Sequence, residues 1–291
     1  MSIFEGSGVA LITPFNSEGV DYSKLKELLE YHVKEGTDAI IICGTTGEAA
    51  TMTECEKKQV IDFTVKTINK RIPVIAGTGS NNTMQSIEMS KYAESVGVDG
   101  LLVINPFYNK TSQEGIYKHF EAINNSVNTP IIVYNVPSRT NVNISPNLLK
   151  KISNLNNIVA VKEASGDLSQ IIKIKKLCPN IDIYSGCDDQ IVSIMSVGGK
   201  GVISVLANIL PKEVHNMVHL YNQGKASEAL KIQLDTLDIA NNLFIEPNPI
   251  PIKTAMKAMK MDSGLLRLPL LEMQEDNKKL LFDSLIKYNL M

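Results

Sequence analysis

Eight short β-rich apolar runs, separated by helix-period segments, limit what this chain can fold into more than any other feature. They are Gly8–Thr13, Ala39–Cys43, Pro73–Gly77, Gly100–Ile104, Ile131–Asn135, Ile158–Glu163, Ile181–Gly186 and Gly201–Ser204. From Gly8 to Gly201 the chain advances 193 residues over seven intervals, so a run recurs every ~28 residues, the length of one strand-plus-helix unit. The runs are near-continuously apolar, as parallel strands covered on both faces must be. Between them, Asp21–Glu35 places Leu25, Leu28, Leu29 and His32 on one helical face, and Glu54–Asn69 carries Val60, Ile61, Phe63 and Val65 among lysines. Ser80–Val96 opens on the cap cluster Ser80-Asn81-Asn82-Thr83 and stops at Gly97. Ser112–Val127, Asp167–Leu177, Asp188–Val197 and Pro211–Asn222 follow the same logic.

Strands alternating with helices in this way predict an α/β fold, a closed (β/α)8 TIM barrel. A doubly wound open sheet would carry a dinucleotide fingerprint at its first βα turn. Here the first run meets Thr13-Pro14-Phe15, and Gly77-Thr78-Gly79 lacks a third glycine at the required spacing. After Gly224 the strand signal stops, and Lys225–Asn242, Pro251–Met261 and Met273–Tyr288 read as helices. The expected division is a catalytic barrel over residues 1–224 and a C-terminal helical appendage over 225–291. No low-complexity linker separates them, so the appendage is expected to pack on the barrel.

The 291 residues carry 29 basic and 31 acidic side chains, a balance of −2, which excludes the basic stripe of a nucleic-acid or membrane-surface protein. No apolar run reaches the ~18 residues of a membrane span. Met1–Phe15 has no basic region ahead of an apolar stretch. A cytoplasmic location is therefore expected, with no nucleic-acid or membrane partner. The four cysteines, Cys43, Cys55, Cys178 and Cys187, form no C-x-x-C pair and read as buried or idle thiols. His215 and His219 stand at i, i+4 without a following Glu or a third ligand, so no metal is expected.

In such a barrel the chemistry sits at the C-terminal ends of the strands. Lys162 ends the apolar run Ile158-Val159-Ala160-Val161-Lys162, where nothing else calls for an ammonium. A lysine inside a barrel is desolvated, which lowers its pKa and frees an amine for attack on a carbonyl. A lysine snorkelling outward or pairing with Glu163 is the alternative. Tyr134 ends the preceding run, and its hydroxyl is a candidate proton shuttle; simple packing would explain it equally. Thr45 and Thr46, between Gly44 and Gly47, offer hydroxyls and backbone N–H groups suited to a small carboxylate, although Gly-Thr-Thr-Gly is also a common turn. Arg139 follows Pro137 in a loop, either solvated or clamping a second carboxylate.

Taken together, Gly44-Thr45-Thr46-Gly47-Glu48, Tyr134-Asn135-Val136-Pro137-Ser138-Arg139-Thr140 and Val161-Lys162-Glu163-Ala164 resemble the dihydrodipicolinate synthase family, within the pyruvate-dependent class I aldolase and N-acetylneuraminate lyase superfamily. The resemblance covers essentially the whole chain. N-acetylneuraminate lyases typically have Gly-Ser-Thr-Gly-Glu at the first motif and lack the arginine at the second.

The resemblance implies a role for each position. Lys162 forms a Schiff base with pyruvate, and Tyr134 is the central acid/base. Thr45 relays protons between Tyr134 and Tyr108, a tyrosine that reaches a neighbouring subunit's site. Thr46 binds the pyruvate carboxylate, Arg139 receives the carboxylate of the aldehyde, and the backbones of Gly186 and Ile203 line the pocket. The implied reaction condenses pyruvate with L-aspartate 4-semialdehyde to 4-hydroxy-tetrahydrodipicolinate, the first committed step of lysine and diaminopimelate biosynthesis. It needs no metal or organic cofactor beyond the covalent imine, and it implies a homo-oligomer, a tetramer built as a dimer of dimers.

A sugar-acid aldolase would use the same Lys162 and Tyr134. A barrel that merely binds a keto acid would need no buried amine. Relatives inhibited by lysine tend to carry histidines just after the first motif and a glutamate in the helix after the third strand. Here Glu54 and Lys57 replace the histidines, Gln85 replaces the glutamate, Phe107 stands where a tyrosine is frequent, and Asn81 is kept. Insensitivity to lysine is the expectation.

Overall fold

The computed structural model describes residues 2–291. The chain runs β1 (Gly6–Ala10), β2 (Phe15–Asn16), β3 (Gly19–Val20), α1 (Tyr22–Lys34), β4 (Ala39–Ile42), α2 (Glu54–Ile68), β5 (Val74–Gly77), α3 (Thr83–Ser95) and β6 (Gly100–Ile104). It continues through α4 (Gln113–Asn124), β7 (Ile131–Asn135), α5 (Pro137–Thr140), α6 (Pro146–Ile152), β8 (Ile158–Glu163), α7 (Leu168–Leu177), β9 (Asp182–Ser185), α8 (Ile191–Ser196), β10 (Gly201–Ser204) and α9 (Pro211–Asn222). The last four helices are α10 (Ala226–Asp235), α11 (Leu237–Asn242), α12 (Ile250–Ala258) and α13 (Glu275–Lys287).

Eight strands close the expected parallel barrel in the order β1-β10-β9-β8-β7-β6-β5-β4, with β4 pairing back onto β1. The pleat of each strand divides its side chains between two cores. Val9, Ile40, Val103, Val133, Val161 and Val202 face outward into one cluster with the surrounding helices. Ala10, Ile41, Leu102, Ile132, Ala160 and Ile203 face inward into another. The phenol of Tyr184 stacks on Phe4 with ring centres 4.3 Å apart, and its hydroxyl donates to the Phe4 carbonyl at 2.6 Å.

Three local features depart from the sequence expectation. The first strand lies at Gly6–Ala10 rather than Gly8–Thr13. Leu11–Thr13 are buried all the same, with the Leu11 N–H donating to the Ile41 carbonyl of β4 at 3.0 Å and the Ile12 N–H to Asn208 Oδ1 at 3.2 Å. Between β7 and β8 stand two short helices, each opened by a proline (Pro137 and Pro146), a residue pre-shaped for the first helical turn. Asp188–Gln190 form a single 3₁₀ turn, and only Ile191–Ser196 are α-helical.

The C-terminal helices meet the barrel mouth through buried polar contacts as well as apolar ones. Lys253 of α12 is fully buried and donates to the Thr13 carbonyl at 2.9 Å, Glu48 Oε1 at 2.7 Å and the Leu265 carbonyl at 2.7 Å. Arg267 holds Glu56 of α2 with two parallel hydrogen bonds of 2.9 and 2.6 Å. No helix among the described residues is long and apolar enough to cross a membrane.

Candidate active site

The C-terminal ends of β4, β7, β8 and β9 open on a cavity of about 640 Å³ whose wall includes Thr45, Thr46, Tyr134, Arg139, Lys162 and Gly186. In β8 the two-residue alternation that turns Ala160 inward turns Lys162 inward as well. Lys162 is only 6% exposed. Burial pushes its amine down to about 8, although the nearby Asp188 partly opposes the shift. Glu163 does not pair with it. That carboxylate accepts from Asn135 Nδ2 at 3.1 Å and the Ser165 N–H at 2.8 Å.

Tyr134 and Lys162 are register partners on adjacent strands. The Lys162 Nζ stands 4.5 Å from the centre of the Tyr134 ring. Burial raises the Tyr134 phenol to about 12, with the Arg139 charge and the Thr45 hydroxyl drawing it back. Thr45 also lines a second cavity of about 480 Å³, where Tyr134, Glu54, Lys57, Gln85 and Phe107 meet. Thr45 and Tyr134, with Gly44 and Leu102, line both cavities.

The turn that presents Thr45 and Thr46 is bracketed by two non-glycine residues in left-handed backbone, Cys43 (φ 55°) and Glu48 (φ 53°). Such conformations persist only where the surroundings impose them. A Cβ at Gly77 would stand 2.2 Å from the Cys43 carbonyl oxygen, so the turn packs flat on β5 only because position 77 is glycine. At Gly186 a Cβ would meet Ala164 Cβ at 2.6 Å and Lys162 Cε at 3.1 Å. Glycine there leaves room for the lysine stem.

Thr46 is buried and its hydroxyl accepts from Asn248 Nδ2 at 2.9 Å. Arg139 is exposed at the cavity mouth and donates through Nη2 to the Asn248 carbonyl at 3.1 Å. The structure therefore brings Lys162, Tyr134, Thr45, Thr46, Arg139 and Gly186 around one cavity. Ile203 lies in the barrel interior beside Tyr134 and is not part of the cavity wall. Tyr108, with φ 68°, is 90% exposed and lines neither cavity.

Two wall residues escaped the sequence reading. Asp188 is buried, and one of its oxygens accepts from the Val205 and Leu206 N–H groups at 3.0 and 2.9 Å. It follows β9 closely, so the strand-end rule that singled out Lys162 could have found it. Asn248 comes from the segment before α12, far from any strand end, and its Pro247-Asn248-Pro249 setting is the only local hint. Among the described residues, no three His, Cys, Asp or Glu side chains cluster as a metal site would require.

Residues 3–287 match the model of the dihydrodipicolinate synthetase family. A Clostridium novyi protein named 4-hydroxy-tetrahydrodipicolinate synthase is 63% identical over 290 residues, covering 99% of this chain and 98% of that relative. The crystal structure of dihydrodipicolinate synthase from Aquifex aeolicus superposes with a TM-score of 0.97 at 45% identity, covering 99% of both chains. That of the Acinetobacter baumannii enzyme complexed with pyruvate gives 0.96 at 38% identity, again over 99% of both chains. This chain belongs to the dihydrodipicolinate synthetase family.

Proposed function

We propose that this chain is an enzyme that condenses pyruvate with L-aspartate 4-semialdehyde to 4-hydroxy-tetrahydrodipicolinate through a Schiff base on Lys162. One observation carries the reading: a buried amine held near pKa 8 against a tyrosine at the mouth of the barrel. An ordinary surface lysine is almost wholly protonated at neutral pH, whereas an amine near 8 offers a useful neutral fraction for carbonyl attack.

The neutral Lys162 amine adds to the keto carbon of pyruvate, and the carbonyl oxygen leaves as water. Tyr134 supplies and recovers the protons of that step, with Thr45 beside it as the relay. Loss of a methyl proton gives the enamine, whose carbon attacks the aldehyde and leaves a hydroxyl. The amine of the semialdehyde then displaces Lys162 as the ring closes, so one water is lost overall. Thr46 holds the pyruvate carboxylate and Arg139 that of the aldehyde. Gly186 shapes the pocket wall, while Ile203 packs in the barrel interior away from it.

Tyr108 supports the oligomeric part of the proposal. An aromatic side chain 90% exposed on a left-handed residue suits insertion into a second copy of this chain better than contact with water. We place it at the end of the Thr45 relay in the partner's site, within a homotetramer built as a dimer of dimers. The proposal needs no metal or organic cofactor, takes residues 1–224 as the catalytic barrel and 225–291 as a helical unit packed on it, and puts the enzyme in the cytoplasm. A substrate panel tests it. Condensation with the semialdehyde supports the proposal, whereas cleavage of N-acetylneuraminate or a 2-keto-3-deoxy sugar acid, without condensation, overturns it.

A further inference from the structure

We infer that Asn248 is a positioning residue that makes Thr46 a dedicated donor to the pyruvate carboxylate and ties that subsite to the arginine serving the second carboxylate. The inference rests on the roles proposed above for Thr46 and Arg139. Asn248 is 5% exposed and lines the same cavity. Its side chain donates to Thr46 Oγ1 at 2.9 Å, and its carbonyl accepts from Arg139 at 3.1 Å. These contacts join the loops after β4 and β7 across 202 and 109 residues of sequence.

The direction of the first bond matters. A hydroxyl has one proton and two lone pairs. With one lone pair taken by the amide of Asn248, the Thr46 proton is left to give away, and an anionic carboxylate is the acceptor that rewards it most. At Arg139 the carbonyl occupies one of five guanidinium donors, so the fork is oriented while the remaining N–H groups stay free for a carboxylate. The Asn248 side-chain oxygen has no partner among the described residues, so the amide is held through its nitrogen alone. One helical turn on, Lys253 bonds Glu48 at 2.7 Å, which fixes the segment carrying Asn248 against the turn carrying Thr46 at a second point.

The test is steady-state kinetics of N248D and N248A with both substrates, paired with borohydride trapping of pyruvate. N248D has the same shape but accepts where asparagine donates, and it adds a negative charge beside the carboxylate subsite. Its KM for pyruvate should rise on the order of 100-fold, and that of N248A on the order of 10-fold, as for a lost charge-assisted hydrogen bond. The KM for the semialdehyde should change much less, because the bond to Arg139 comes from the backbone. N248A added to T46V should cost no further pyruvate affinity, since the amide acts through that hydroxyl. If N248D does not fold, the N248A and T46V comparison decides alone. A pyruvate KM within twofold of wild type in N248A or N248D, or full additivity with T46V, would overturn the inference. Wild-type enzyme that traps no pyruvate would instead overturn the assignment of Lys162.

Discussion

Lys253 and Glu48 form an ion pair with no solvent exposure on either side chain, Nζ to Oε1 2.7 Å, joining α12 to the residue that closes the Thr45-Thr46 turn. Two backbone carbonyls complete the ammonium's shell, and the Phe15 ring lies 4.3 Å from it. The Arg267 N–H reaches the other Glu48 oxygen at 3.2 Å. Removing one partner of such a pair strands a buried charge.

Lys253→Met should therefore lower unfolding stability by ~3–5 kcal/mol and reduce pyruvate affinity by loosening the turn. Urea titration followed by circular dichroism measures the first effect. The double variant E48M/K253M should recover at least half of the lost stability, since an apolar replacement of both partners removes the stranded charge. A K253M midpoint equal to wild type would contradict this view of the turn.

The buried amine of Lys162 has a pH signature in stability. Burial lowers its pKa from 10.5 to about 8. Between those values the unfolded chain holds the proton and the folded chain does not, so the contribution of Lys162 to stability rises with pH across the window. Below about pH 8 the cost of burying its charge is fully present. Lys162→Met should be more stable than wild type at pH 7, and the gap should narrow toward pH 10.5. Thermal melts of both proteins across that range measure it, and a constant gap would count against a desolvated amine.

The alternation that exposed the barrel in the sequence also marked Lys162, because a lone charge in an apolar strand demands a reason. The same test applied to Ile250-Pro251-Ile252-Lys253-Thr254-Ala255-Met256 would have marked Lys253. What no local pattern carries is the partner. Glu48 lies 205 residues away and Thr46 lies 202 residues from Asn248, so these contacts exist only once the barrel closes. Burial was legible where pairing was not. Leu11–Thr13 read as strand because they are buried, although their pairing with the barrel stops at the Leu11 N–H, which donates to the Ile41 carbonyl at 3.0 Å. The helices Pro137–Thr140 and Pro146–Ile152 are too short to show a helical period.

The exposed Tyr108 makes a prediction about pairs of inactive chains. Y108F keeps Lys162, and K162A keeps Tyr108. A hetero-oligomer of the two holds sites in which the intact lysine meets the intact tyrosine of its neighbour. Mixing by denaturation and refolding should restore activity that neither variant has alone. Absence of restoration in verified hetero-oligomers would contradict action across subunits.

Lysine should inhibit weakly. The second cavity presents Lys57 and the neutral Gln85 where a cationic effector would need a carboxylate. Glu54 is engaged by Lys58 and Glu56 by Arg267, so neither acid is free to compensate. An unpaired, partly buried ammonium loses ~3–5 kcal/mol, a hundredfold or more in affinity. In initial-rate assays with saturating pyruvate, half-inhibition should lie above about 1 mM lysine, the level at which binding contributes roughly 4 kcal/mol. Half-inhibition at a lower concentration would show that Glu54, which lines the cavity, leaves Lys58 to pair with the effector.

The most direct test of the central claim is reductive trapping. Incubating the enzyme with pyruvate and borohydride, then mapping the modified peptide by mass spectrometry, should find one adduct per chain, on Lys162, and none in K162A. An adduct on another lysine, or wild-type protein left unmodified, would contradict the assignment of Lys162 as the imine-forming residue.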